Sequence, residues 1–489
     1  MSVSSSTKRA SSLLAVGFLL TACGGGPPAP AAPEATPPRA PTTARGEPAR
    51  EGVVDTVESG TNEGSTLTER GKALVQRLEA RQFAAIVQGF DATMGTALPE
   101  PKLAEVWDGL VASVGPLQEV VAVRTEASGA YALVLVTCRF EKTTLDAKIS
   151  FDAQEKVAGL FFGPSKPPAK PWEAPAYVDL AALTEREVKV NPGPWEVPGI
   201  LTLPRGKGPF PAVVLVHGSG PNDRDETVGA NRPFKDLALG LATKGIASLR
   251  YDKRTLVYGA KLRVDELGMD QESVDDAVAA VAQLAKEGSI DPAQIYVVGH
   301  SLGGMLAPRI ATQTKGLAGI VLLAASTRQV PEMMVEQLEY IASLSERGRE
   351  ALKGQIEQVK EAGQRIRALQ GGAAPKPDEV ILGAGARYWV EFGKYDPLAT
   401  AKGLGLRIYV AHGERDYQVT DVDYRAWEKA LTGKKNVTLK LYPALNHLMI
   451  AGTGPSSPAE YEPGGHVDAA LVADLASWIG AAGPRPSSL

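Results

Sequence analysis

Cysteine is nearly absent: the 489 residues hold two, Cys23 and Cys138. So few exclude a disulfide-stapled scaffold, and burial of apolar surface must stabilise the fold instead, which a chain of this length permits. Cys138 falls in the alternating run "YALVLVTCRF" and is expected as a buried apolar filler. An excess of positive charge is also missing. Lys and Arg number 52 against 56 Asp and Glu, a net charge of −4. With no long basic stripe to hold a polyanion, nucleic acid is excluded as a partner. The five histidines are scattered and lack neighbouring carboxylate clusters, so no metal-site spacing arises and neither metal nor cofactor is expected. No apolar run in the N-terminal region is long enough to span a bilayer.

The run that does occur there is "LLAVGFLL" (Leu13–Leu20), preceded by Lys8 and Arg9 and followed by "TAC". Its length and flanks match the apolar region of a signal peptide. Leu20-Thr21-Ala22-Cys23 resembles a bacterial lipobox, which implies that residues 1–22 are removed and that Cys23 is lipidated. The expectation is an exported, membrane-anchored protein of the cell envelope. An ordinary cleaved signal beside a coincidental cysteine is the competing reading.

The remaining composition, 44% apolar and 22% charged, suits a globular chain of two or three domains. Residues 23–65 are dominated by Pro, Ala, Gly and Thr. They lack the large apolar side chains needed to offset ordering entropy, so a disordered tether is expected. "TLTE" (Thr66–Glu69) has capping-box spacing and predicts the start of order. Over 66–163, two helical stripes are followed by four strand-like runs; the first stripe drifts near Arg81, and Pro101 opens the second. The pattern resembles the cone-shaped, nuclear-transport-factor-like α+β fold and carries no motif, so a structural or docking role is favoured over a pocket-bearing sensor. A proline-rich linker is expected over 164–176.

From 177 to 482 the rhythm changes to apolar strands alternating with helices, the mark of a parallel sheet covered on both faces. Eight strand candidates occur: "REVKV", "GILTLP", "PAVVLVHG", "GIASLRYD", "QIYVVGHS", "GIVLLAAS", "LRIYVAHG" and "VTLKLYP". The interval 327–402 is too long for a connection and has helical periodicity with narrow apolar stripes. A lid is expected there rather than a solvent-exposed decoration, because it follows a strand end bordering the site of an open α/β sheet.

The stretch "IYVVGHSLGGM" supplies the chemistry. A bare G-x-S-x-G arises easily in a chain with 51 glycines, so context decides. Here a buried strand leads into Ser301 and a helical pattern follows until Pro308 perturbs it, the arrangement of a nucleophile elbow. Gly299 and Gly303 would relieve crowding at that turn. The Leu302 amide opens the helix and would face a developing oxyanion. A second donor is expected from the loop "HGSGPNDRDE", at Ser219 between two glycines, while His217 buttresses that loop. The order nucleophile, acid, base then places Asp416 after "LRIYVAHG" and His447 after "VTLKLYP". Glu414 competes with Asp416, and His466 is the one late rival to His447, though it adjoins the final helix. Asp421 and Asp423 are expected to cap the next helix.

The segments "HGSGPNDRDETVGANRPFKDLALGLATKGIASLRYDKR", "GHSLGG", "HGERDYQV" and "LYPALNHL" together resemble the exported bacterial α/β hydrolases of the esterase or serine aminopeptidase-like group, over about Glu185 to Gly480. The resemblance implies an α/β-hydrolase fold and a serine hydrolase, and names no substrate. Cleavage of carboxylic esters with small or medium acyl chains ranks first. A peptidase acting on short peptides is second and needs a charged anchor for a peptide terminus, for which the "DRDE" and "YDKR" charges are candidates. Paired scaffolding is the more ordinary role for those charges. A non-catalytic envelope-binding lipoprotein ranks last. A neutral His447 acting as base predicts activity rising between about pH 6 and 8. Oligomeric state is not legible in the sequence.

Overall fold

The computed structural model describes residues 63–128, 131–165, 172–376 and 379–481. The expected leader, nearly all of the expected tether and Cys23 lie outside them. The described residues form two units, one up to residue 165 and one from residue 172.

In the first unit, α1 (Glu63–Glu79), α2 (Phe83–Val87), α3 (Ala92–Ala97) and α4 (Glu100–Val114) precede β1 (Leu117–Ser128), β2 (Tyr131–Phe140), β3 (Thr144–Phe151) and β4 (Val157–Pro164). The strands form an antiparallel meander in chain order. Two of the sequence expectations change here. Thr66 lies inside α1, so "TLTE" does not begin the helix. The first stripe is two helices, because Arg81 takes a φ of +57° and breaks the run. Leu74, Val75, Leu78, Phe83, Ile86, Leu103 and Trp107 pack against alternate residues of β2 and β3, Cys138 among them. Burial pushes the Cys138 thiol up to about 12, so it stays protonated and inert.

The second unit holds β5 (Leu183–Val190), β6 (Val197–Pro204), β7 (Phe210–Val216), α5 (Pro233–Thr243), β8 (Ala247–Tyr251), α6 (Arg254–Tyr258), α7 (Asp275–Leu284), β9 (Ile290–His300), α8 (Leu302–Gln313) and β10 (Gly319–Leu323). It continues with α9 (Val330–Ser343), α10 (Glu346–Gln370), β11 (Val380–Ile381), β12 (Ala384–Gly385), α11 (Ala386–Lys394), α12 (Pro397–Gly403), β13 (Arg407–Gly413), α13 (Asp421–Leu431), β14 (Val437–Tyr442) and α14 (Ala469–Gly480). All eight strand candidates join one sheet in the order β14-β13-β10-β9-β7-β8-β6-β5. β5 and β6 pair as an antiparallel hairpin and β6 runs antiparallel to β8. From β8 to β14 every pairing is parallel.

The continuous apolar runs follow from this arrangement. Successive side chains of a strand point to opposite faces, and here both faces are covered. On β7, Val214 and Val216 enter the core beneath α7 and α8, while Val213 and Leu215 enter the core beneath α5 and α14. Pro308 does not end α8, which continues to Gln313. Beside the proline an outside donor, Tyr395 Oη, bonds the Met305 carbonyl at 2.9 Å.

The segment between β10 and β13 is helical, with the short β11–β12 ribbon inside it. Met334, Leu338 and Ile341 of α9 and Leu352, Ile356 and Val359 of α10 pack with Tyr417, Leu448 and Tyr461. The insertion therefore sits on the loops that carry Asp416 and His447.

Candidate active site

The candidate residues gather at the carboxyl ends of β7, β9, β13 and β14. Ser301 follows β9 directly and caps α8 with φ +53° and ψ −116°, a strained conformation for a residue with a side chain. Its neighbours must be small. A Cβ on Gly299 would collide with the Gly303 carbonyl, and one on Gly303 with the carbonyls of Val216 and His217. The Ser301 amide bonds Leu323 O at 2.9 Å, which ties the elbow to β10. Ser301 remains partly exposed while the residues around it are buried. Leu302 is the first residue of α8, so its amide has no partner within the helix.

Asp416 sits in the turn after β13 and is buried. Its Oδ1 accepts the amides of Gln418 at 2.8 Å and Val419 at 2.9 Å, and its Oδ2 lies 2.7 Å from His447 Nδ1. Burial alone would raise the Asp416 carboxyl. The charge and hydrogen bond of His447, with His412 and the Val419 amide, outweigh that and hold it below the usual carboxylate range. A carboxylate at Nδ1 favours the tautomer with the proton on Nδ1 and a lone pair on Nε2 of His447. Glu414, the competitor, is exposed.

The His447 loop is set from several sides. Asn446 Oδ1 accepts the Leu448 and Ile450 amides at 3.1 and 3.2 Å. Arg415 pairs with Glu460 and donates to the Gly454 carbonyl at 2.7 Å. His466 faces Asp236 at 3.2 Å and packs edge-on to Trp172, in a cluster at the start of α14. Asp421 and Asp423 differ from expectation: α13 is capped at Thr420, and both lie in its first turn. Asp423 instead accepts from Thr327 N and Oγ1 at 2.7 and 2.8 Å and from Arg328, fastening the root of the insertion.

The loop after β7 is held by groups that its sequence did not advertise. Lys253 Nζ and Asn222 Nδ2 donate to Gly218 O at 2.9 and 3.1 Å, and Lys253 also pairs with Glu272 at 2.7 Å. In a trans peptide the N–H points away from the preceding carbonyl, so anchoring Gly218 O aims the Ser219 amide to the opposite side. A Cβ on Gly218 would meet Ser301 Cβ at 3.2 Å, so this backbone lies against the elbow. Gly220 supplies a φ of +91° that the exit of the loop requires. His217 is buried between Phe234 and Tyr251, with ring centroids 5.0 and 5.3 Å away. Burial pushes it down to about 4, so it stays neutral at working pH.

The "DRDE" and "YDKR" charges pair with each other and with nearby elements. Arg224 grips Asp252 with two bonds of 2.9 and 2.8 Å, and Arg250 bonds Asp225 at 2.7 Å and Glu185 at 2.8 Å. Arg254 holds Asp276. Sequence reasoning missed Asn222 and His300, and it read Lys253 and Glu226 as paired scaffolding without finding their partners. Glu272, His300 and His447 are remote in the chain from the groups they meet and form no local pattern, whereas Asn222 bonds Gly218 only four residues away.

A family defined by this fold now accounts for most of the second unit. Residues 213–476 match the alpha/beta hydrolase family, and the chain belongs to it and is a hydrolase. Among curated proteins, esterase EstD of Thermotoga maritima is 38% identical over 405 residues, covering 83% of this chain and 93% of that protein. Residues 72–160 match a second family, described as a protein of unknown function (DUF3887). Among solved structures, Est1E from Butyrivibrio proteoclasticus is 14% identical, covering 60% of this chain and 99% of that one at a TM-score of 0.39. Pyrococcus horikoshii acylaminoacyl peptidase is 17% identical, covering 68% and 47% at a TM-score of 0.38. The assignment rests on the family match and EstD.

Proposed function

We propose that the protein hydrolyses carboxylic esters of small or medium acyl chains through Ser301, His447 and Asp416. The observation that carries this reading is the buried 2.7 Å contact of His447 Nδ1 with Asp416, set at the same end of the sheet as the Ser301 elbow. His447 Nε2 removes the Ser301 proton as Oγ attacks the ester carbonyl carbon, and Asp416 stabilises the imidazolium that forms. The Leu302 and Ser219 amides receive the oxyanion. His447 then gives its proton to the leaving alcohol, an acyl-enzyme remains, and water activated by His447 releases the acid. Similarity to an esterase over most of the chain supports esters as the substrate class.

A peptidase shares the triad and needs a charged anchor for a peptide terminus. Arg224, Asp225, Asp252, Lys253 and Arg254 near the strand ends are engaged in the pairs described above, which favours esters. Parallel assays with p-nitrophenyl acetate through octanoate and with aminoacyl-anilides, using Ser301→Ala as blank, test the reading. Ester turnover that disappears in Ser301→Ala supports it. Turnover of the anilides alone rejects the ester reading for the peptidase, and no Ser301-dependent turnover of either substrate rejects both.

The sequence around Cys23 supports a lipid anchor on the cell envelope, a proposal tested by fractionation below.

A further inference from the structure

Two buried ionisable side chains beneath the site take no part in the chemistry above. Glu226, in the loop after β7, and His300, the last residue of β9, are both nearly excluded from solvent. Glu226 Oε1 accepts the Gly218 amide at 2.6 Å. Its Oε2 lies 3.0 Å from His300 Nδ1, an ion-pair contact without the alignment of a hydrogen bond. His300 Nε2 lies 2.9 Å from the His447 carbonyl, and the two imidazole rings are 4.7 Å apart between centroids. The Glu226 backbone takes a φ of +51° at the end of a turn closed by its amide on the Asp223 carbonyl at 2.9 Å.

Proton counting fixes the state of this couple. A backbone carbonyl only accepts, so Nε2 of His300 must carry a proton to meet it. A lone pair on Nδ1 would face a carboxylate oxygen at 3.0 Å, so one of these two atoms carries a proton as well. The couple therefore holds one proton more than a neutral imidazole beside a carboxylate, and its net charge is zero.

We propose that Glu226 and His300 are positioning residues: a buried charged couple that joins the loop of the oxyanion donor to the loop of the base, directly beneath the nucleophile. One end fixes the Gly218 amide, hence the peptide that carries the Ser219 N–H. The other end fixes the carbonyl of His447 itself. Burial works against a charged His300, but the Glu226 carboxylate, the His447 carbonyl and the more distant Asp416 outweigh it, leaving its pKa above the ordinary histidine value. Glu226 is likewise opposed by burial and drawn down by His300, His217 and the Gly218 amide. The ionisable groups facing the couple are His217 from the end of β7, Asp416 from the β13 loop and His447 from the β14 loop. When the couple loses its extra proton at alkaline pH, Nε2 of His300 turns a lone pair toward the His447 carbonyl and the base loop is released.

This inference rests on the triad reading, and the test separates the two. The purified full chain is assayed with p-nitrophenyl butyrate from pH 5 to 10, subtracting Ser301→Ala as blank. Glu226→Ala is expected to lower kcat roughly 10- to 100-fold with little change in KM, as for a small misplacement of reacting groups. Glu226→Gln can still accept from Gly218 and donate to Nδ1 of a neutral His300. It is expected to lose less kcat than Glu226→Ala and to lose the alkaline decline of the wild type, because its couple has no proton to shed. Should Glu226→Ala fail to fold, the pH profile of Glu226→Gln decides. A Glu226→Gln profile with the alkaline decline of the wild type overturns the couple while Ser301 dependence stands. Turnover persisting in Ser301→Ala instead overturns the triad.

Discussion

Single side chains in this site differ chiefly in what holds their charge. Asp416 is a buried carboxylate with both oxygens satisfied, so its ionised form survives where no water reaches it. Asp416→Asn keeps the shape but offers Nδ1 of His447 the wrong partner, and kcat should fall about 10³- to 10⁴-fold with KM nearly unchanged. Glu414→Gln, on an exposed side chain two positions away, should change kcat less than about twofold. Comparable losses in both variants would remove Asp416 from its role. The buried couple makes a separate prediction about stability. The pKa of His300 is raised on folding, so its contribution is complete below the unfolded value of about 6.5 and is lost as pH rises through the folded value. Glu226 is lowered, so its contribution is present above about 4.3 and is lost as pH falls through its folded value. The Tm difference between wild type and Glu226→Gln should therefore be widest between about pH 4.3 and 6.5 and close at higher pH. Thermal unfolding across pH 4 to 9 checks the sign, and a gap that widens toward pH 9 contradicts it.

At the scale of elements, the elbow and the insertion are where packing sets function. Gly303 lets α8 approach the end of β7, and Gly303→Ala forces a methyl into backbone carbonyls that cannot yield. Overpacking of this kind costs about 1–3 kcal/mol, so a lowered Tm and loss of ester turnover are expected together. An active Gly303→Ala at wild-type Tm would mean the elbow is looser than described. Asp423 anchors the insertion through Thr327 and Arg328, and Asp423→Ala leaves the half-buried Thr327 amide without its acceptor and Arg328 with only Glu336 and Thr420. Limited proteolysis should then cut within 327–402 faster than in the wild type, with Ser301 still reactive.

These elements were legible in unequal measure. The central strands of the large sheet could be read because a strand covered on both faces is a plain apolar run, and the edge strands β5 and β14 by the alternation of a strand buried on one side. The break at Arg81 could not, since a left-handed arginine leaves no mark on hydrophobic period. Nor did Pro308 end its helix, because tertiary packing of a buried helix overrode the local preference. Asp416 and His447 were named from their order along the chain, and the structure brings the two into contact. The partners of Lys253 and of Glu226 were not legible, because only folding brings Glu272 and His300 near them.

For the whole molecule, a hydrolase unit follows a smaller antiparallel-sheet unit that matches a family without an assigned function. The proposed lipid anchor at Cys23 gives the molecule-scale prediction. When the full gene product is expressed in a bacterial host, it should partition with membranes and move to the soluble fraction in Cys23→Ser. Equal partitioning of both would reject the lipid anchor while leaving the hydrolase intact. The central claim is that Ser301 is an activated nucleophile, and one measurement reaches it directly. The purified protein is treated with a fluorophosphonate and analysed by intact mass and peptide mapping. A single adduct on the peptide carrying Ser301, absent in Ser301→Ala and slowed in Asp416→Asn, is the predicted result; no adduct, or an adduct that persists in Ser301→Ala, would contradict the account.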